Sequence, residues 1–253
     1  SISMKSTDTV SAAGDRFPGL DILRVLAMAL ITVQHGLAAV GRSEWVQFGG
    51  MDAGQVGVGV FCAVSGLLAM NDRRAPTGWL WRRLQRLFPP YWIAMLFSFA
   101  VTAWAGRKSF DVYQFISQML GLGYFTHGWF LVNQVTWFIS LILLCYVLAF
   151  AAKLFRRPCA GMALLSLISL VIVLTGIEVD LSQHILSFCL AGTAVCLSGK
   201  SRRWMLLVSA TVLFALIPYT RFFSFAAVSL LLTGLFYKAT WGQHVYFRMA
   251  GGG

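Results

Sequence analysis

Long apolar runs broken by short polar gaps fill the chain from about residue 20 to residue 238. Eight runs fall at roughly 20–40, 54–70, 88–104, 131–152, 160–177, 183–198, 204–219 and 222–238. Each reaches or approaches the roughly 20 residues that a helix needs to cross a bilayer, and the shortest need neighbouring helices or local thinning of the lipid. The pattern predicts an all-α protein, a polytopic transmembrane helix bundle of about eight spans. A weaker run at 112–125 is entered through Asp111 and carries Gln114 and Gln118. The stretch before about Pro18 is polar and has no apolar signal-peptide core, so it is expected to be retained. The divisions expected are a polar cytoplasmic N-terminus at 1–18, a membrane domain at 19–240 and a cytoplasmic tail at 241–253.

Composition supports the same class. Hydrophobic residues make up 58% of the 253 and charged residues 11%. Soluble domains hold roughly 45–50% apolar and about 25% charged residues. With half that charge the chain cannot cover a water-facing surface, which excludes an ordinary soluble enzyme, a disordered tail and a disulfide-rich secreted module. The net charge of +11 would suggest nucleic acid in a soluble protein. Here most basic residues lie in the gaps between runs, where they orient spans toward the cytoplasm, and no nucleic-acid partner is expected.

Charge also settles the weak run. With the N-terminus inside, one cytoplasmic gap carries Arg73, Arg74, Arg82, Arg83 and Arg86. If 112–125 does not span, later cytoplasmic gaps carry Lys153, Arg156 and Arg157, then Lys200, Arg202 and Arg203, while Glu44, Asp52, Glu178 and Asp180 fall outside. If it did span, both later basic clusters would be external. The expectation is therefore eight spans, both termini cytoplasmic, and a partly inserted extracytoplasmic loop at 105–130. Cys62, Cys145, Cys159, Cys189 and Cys196 form no CxxC pair and have no nearby His at metal spacing, so they read as packing residues and no metal is expected.

Ionisable groups inside spans are costly and mark wet cavities or bundle interiors. The first span holds two, Arg24 and His35, separated by 11 residues. At about 100° per residue they return to within roughly 20° of one face, with a rise of about 16 Å. Asp21 stands three residues before Arg24 and can pair with it. Small residues in the second run, Gly54, Gly57, Gly59, Ala63, Ser65 and Gly66, permit close helix approach. In the next segment Arg82 and Arg86 share a face if helical, beside Arg83, and arginine forks suit phosphate oxygens or anionic lipid. Pro89 and Pro90 are expected to end or kink that segment before the span, with Tyr91 and Trp92 anchoring its edge. Trp137 and Tyr146 bracket the fourth span.

Taken in order, LDILR…H, GVGVFCAVSG, RRLQR followed by PPYW, and WFIS…Y resemble the acyltransferase-3 superfamily of bacterial integral-membrane O-acyltransferases over about residues 19–150. The resemblance implies transfer of an acyl group, commonly acetyl from acetyl-CoA, to a sugar hydroxyl of a surface polysaccharide or lipid-linked glycan. It implies residence in the bacterial inner membrane, with polysaccharide-biosynthesis membrane proteins as possible partners. By the same resemblance Arg24 and His35 match the first-span pair, and Arg82, Arg83 and Arg86 match the basic motif. The acidic residues that many members carry after the tryptophan are replaced here by Ile142 and Leu143. Further spans usual in the family after the position of Lys238 have no counterpart, which reads as a C-terminally short chain.

The residues then suggest a mechanism. The arginines hold the phosphates of acyl-CoA at the inner face, and the thioester reaches toward His35 as general base. Ser65, Trp137 and Tyr146 are candidate oxyanion donors. A second reading, a glycan or lipid transporter or flippase subunit without acyl transfer, also needs polar stripes, but no inverted repeat is found.

Overall fold

A computed structural model describes residues 17–48, 51–106, 111–128, 131–176, 179–217 and 223–237. The first helix, α1 (Pro18–Ala39), opens with proline at its first position, where the missing N–H costs nothing, and carries Asp21 in its first turn. A short antiparallel ribbon follows, β1 (Gln47–Phe48) with β2 (Met51–Asp52), pairing Gln47 with Asp52. It turns the chain directly into α2 (Ala53–Asn71).

Helix α2 is the hub of the bundle and touches α1, α6 (Trp137–Leu154), α8 (Val179–Ala194) and α10 (Ser224–Phe236). Its glycines make this possible. A Cβ at Gly57 would sit 2.7 Å from the Ala27 carbonyl of α1, and one at Gly66 would run into the Phe188 carbonyl of α8. The small-residue spacing expected to permit close approach therefore does so on two sides. Helix α7 (Pro158–Thr175) packs on α6 and α8, and α9 (Gly199–Leu216) on α10 and α8. Arg202 locks this corner: its guanidinium donates to the Val195 carbonyl at 3.0 Å and to the Tyr237 hydroxyl at 2.8 Å.

Among the described residues five helices, α1, α2, α3 (Pro76–Trp104), α6 and α7, are long and apolar enough to cross a membrane. Helices α8, α9 and α10 complete the eight expected elements, but each falls short of that test for a local reason. The first turns of α9 carry Lys200, Arg202 and Arg203. Helix α8 has 16 residues, among them Gln183 and His184, and α10 has 13. The outer faces of α1, α3 and α7 expose Val25, Met28, Ile93, Phe97, Leu167 and Val171, a surface suited to lipid.

Three expectations are corrected. Pro89 and Pro90 do not end a segment, because α3 runs through both as one helix of 29 residues. Both rings lie on the exposed side. The carbonyls they leave without amide partners belong to Gln85 and Arg86, in the basic end of the helix. Tyr91 and Trp92 do more than anchor a membrane edge. The Tyr91 hydroxyl donates to the Gln118 carbonyl, and the Trp92 indole N–H donates to the Met119 carbonyl at 2.9 Å. They grip the end of α4 (Val112–Met119), which Asp111 caps by accepting from the Gln114 N–H at 2.6 Å. Phe115 meets Phe99 with ring centroids 4.9 Å apart. The segment thus descends along α3 as far as Tyr91, turns at Gly121 with φ 74°, and returns through α5 (Gly123–His127). It is a helical hairpin packed against α3, in keeping with the loop expected there.

The third correction concerns cysteine. Cys62, Cys145 and Cys189 are buried packing residues, but Cys159 and Cys196 form a disulfide with Cα atoms 5.8 Å apart. The antiparallel packing of α7 and α8 brings the start of one beside the end of the other. A sequence separation of 37 residues concealed that neighbourhood.

Candidate active site

Helix α1 presents Arg24 and His35 at opposite ends of its stripe. At the inner end, the Arg24 guanidinium stands 6.0 Å from the Phe61 ring centroid and 3.8 Å from the Asp21 carboxylate, a loose i,i+3 pair open to solvent. Tyr146 of α6 lies within electrostatic reach of both Arg24 and Arg83. Trp79 is buried, its ring edge-on to Tyr146 with centroids 5.7 Å apart. Arg83 and Lys153 stand over the same indole at 6.0 and 5.6 Å. The Lys153 ammonium also donates to the Asp72 carbonyl at 2.6 Å.

Three cations from α1, α3 and α6 are therefore gathered around one Trp–Tyr pair. Among the three motif arginines only Arg83 is half-buried, while Arg82 and Arg86 are exposed. The shared face of Arg82 and Arg86 is real, and it is the outward one. The hydroxyl of Tyr146 belongs to this inner cluster.

At the outer end, His35 lies where two cavities meet, each of about 490 Å³. One runs between α1, α3 and the 131–134 segment, past Ser98, Thr102 and Asn133. The other lies between α1, α2 and α6 and is lined by Gln34, His35, Asp52, Gln55, Gln134 and Trp137, among apolar neighbours. Trp137 is the one member of the proposed oxyanion trio that lines either cavity. Ser65 is half-buried on α2 and Tyr146 sits at the inner end.

Behind the second cavity, His184 is fully buried, and its Nε2 shares a hydrogen bond of 2.8 Å with the Gln55 side-chain amide. Its ring lies between Trp137 and Phe225, with centroids at 6.0 and 5.8 Å. Gln55 is thus both a partner of His184 and a lining residue of the second cavity.

Sequence reasoning missed Gln34, Asp52, Gln55 and His184. Gln34 and Gln55 were legible as polar residues within apolar runs. Asp52 and His184 were not, because a ribbon and a distant helix bring them here. No group of three or more potential metal ligands occurs among the described residues.

The chain is thus a helical bundle with membrane-length helices, an imidazole bordering a largely apolar cavity and a cation cluster toward the other end of α1. The family model described as an acyltransferase domain matches residues 17–251, and the chain belongs to the acyltransferase-3 family. It is a membrane acyltransferase, which decides against the transporter reading. No curated protein and no solved structure matches the chain.

Proposed function

We propose that the protein moves an acetyl or other acyl group from cytoplasmic acyl-CoA to a sugar hydroxyl of a surface polysaccharide or lipid-linked glycan. It would do so in the bacterial inner membrane with both termini cytoplasmic, beside membrane proteins of polysaccharide synthesis. The carrying observation is the stripe of α1. Arg24 joins the Arg83–Tyr146 cluster at one end, and His35, an exposed residue, borders a largely apolar cavity with a few polar side chains about 16 Å along the helix axis at the other. That span suits an extended pantetheine arm, with CoA phosphates on the arginine forks and the thioester at His35.

The chemistry follows from the groups at the cavity. The acceptor hydroxyl oxygen bonds to the thioester carbonyl carbon while His35 takes its proton. Negative charge builds on the former carbonyl oxygen, and the amide N–H of Gln55, which lines the same cavity, supplies the donor that meets it. Collapse breaks the C–S bond, and His35 returns the proton to the CoA sulfur. Atoms and charge balance with no metal or redox partner.

The test is turnover per folded molecule with radiolabelled acetyl-CoA. His35→Ala is expected to lose ~10²–10⁴-fold in transfer while retaining acyl-CoA binding. Arg24→Ala is expected to lose binding as well as rate. A monodisperse His35→Ala protein with parental turnover would remove His35 from the mechanism.

A further inference from the structure

The cavity between α1, α3 and the 131–134 segment differs in chemistry from the largely apolar one, and His35 and Gln134 border both. Helix α3 lines it with two adjacent i, i+4 rows. Ser98 and Thr102 are half-buried, whereas Phe97 and Val101 are exposed. The facing segment adds Asn133 and Gln134. The Asn133 side-chain amide donates to the Ser98 hydroxyl at 3.2 Å, and its backbone carbonyl accepts from the Thr136 hydroxyl at 2.6 Å, so this polar wall is held in place. Among the described residues that line the cavity there is no Lys, Arg, Asp or Glu.

Tryptophan gives the depth. Trp104 closes α3 just beyond Thr102 and is 89% exposed, and Trp45, in the turn Ser43–Val46 that follows α1, is exposed as well. Exposed indoles at the ends of spans mark the boundary between hydrocarbon and headgroups. Ser98 lies roughly 9 Å of helix rise below Trp104. The cavity therefore sits at the headgroup end of the hydrocarbon layer. At its mouth Phe97, 70% exposed, continues the lipid-facing surface of Ile93, one helical turn away.

We infer that this cavity admits the acceptor from the bilayer: an uncharged glycolipid whose sugar hydroxyls meet Thr102, Asn133 and Gln134, whose apolar part lies along Phe97 and Val101, and which presents one hydroxyl to His35. This rests on the acyl-transfer reading above and narrows its acceptor to a membrane-held one. Hydroxyl and amide side chains both donate and accept, as sugar hydroxyls do. A charged head group would lose hydration here without a counter-ion in the lining, which is costly. A free sugar would leave the apolar row of α3 unused. The largely apolar cavity on the other side of His35 stays open to the acyl donor, so donor and acceptor approach the imidazole from different sides of α1.

The experiment uses the full chain in lipid nanodiscs with radiolabelled acetyl-CoA. Two acceptors are compared at equal overall concentration, monoglucosyl diacylglycerol in the disc bilayer and methyl β-glucoside in the buffer. A cavity that opens to lipid gains from the effective concentration of a membrane-held acceptor, so the parent is expected to acylate the glycolipid at least about tenfold faster. Thr102→Val and Gln134→Leu should each raise the KM for the glycolipid about three- to tenfold, the worth of one hydrogen bond, without moving the KM for acetyl-CoA. Thr102→Ser, which keeps the hydroxyl, should hold the parental KM. Equal rates with the two acceptors would overturn entry from the bilayer while acyl transfer stands. A fall in kcat at unchanged glycolipid KM, or a rise in both KM values together, would make the side chains structural and overturn the subsite. No transfer to either acceptor by folded parent protein would overturn the sugar-acceptor reading together with this proposal.

Discussion

His184 and Gln55 share a hydrogen bond of 2.8 Å that ties the interior of α8 to the first turn of α2. Gln55 also lines the cavity that His35 borders, where its amide N–H is the proposed oxyanion donor. Loss of a single oxyanion donor costs about 10²–10³ in turnover. Gln55→Leu is expected to lose that much while keeping acyl-CoA binding, as measured by single-turnover kinetics on detergent-purified protein. His184→Phe should also slow turnover, since it frees the amide to rotate. The double variant should be no slower than Gln55→Leu alone, because the two residues act as one unit. Additive losses would separate them.

Burial distinguishes the three arginines of the basic motif. Arg83 stands over Trp79 and beside Tyr146, whereas Arg82 and Arg86 are exposed. A charged hydrogen bond is worth about 1.5–3 kcal/mol, and replacing a guanidinium by an ammonium keeps the charge but loses the fork. Arg83→Lys is expected to weaken acyl-CoA binding about tenfold or more by equilibrium titration. Arg82→Lys and Arg86→Lys should change it less. Equal losses at all three positions would make the motif a diffuse charge field.

Two hydrogen bonds from α3 hold the helical hairpin, those of Tyr91 and Trp92 to the carbonyls of Gln118 and Met119. At about 0.5–1.5 kcal/mol each, the pair contributes about 1–3 kcal/mol. Tyr91→Phe with Trp92→Phe is therefore expected to lower the thermal unfolding midpoint in detergent by several degrees. Because the hairpin leads into the 131–134 segment that lines the outer cavity, transfer should fall before acyl-CoA binding does. An unchanged midpoint would mean that the hairpin is held by its apolar contacts alone.

Topology has a direct assay. Val112 lies exposed at the mouth of the hairpin, and Arg156 lies in the basic gap between α6 and α7. In a cysteine-free background, Val112→Cys should react with impermeant maleimide added to intact cells. Arg156→Cys should react only after permeabilisation. The reverse pattern would invert the orientation, and with it the assignment of the inner cation cluster to the CoA side.

The sequence by itself determined the class, the number of bundle helices and the stripe that joins Arg24 to His35. Apolar run length and helical period are local properties, written in neighbouring residues. It also marked the basic motif, though not which arginine turns inward, because all three have the same composition signal and only the seating of α3 against α6 separates them. Tertiary structure alone decided the rest. It closed Cys159 on Cys196 across two helices, drew the weak run into a hairpin under Tyr91, and set His184 behind Gln55 at a sequence distance of 129 residues. It also brought Asp52 and Gln34, from different elements, to the wall of one cavity. The physical reason is that a buried polar group is defined by its partners. Where those partners come from other helices, only the packing of small-residue faces such as Gly57 and Gly66 of α2 brings them within hydrogen-bond reach.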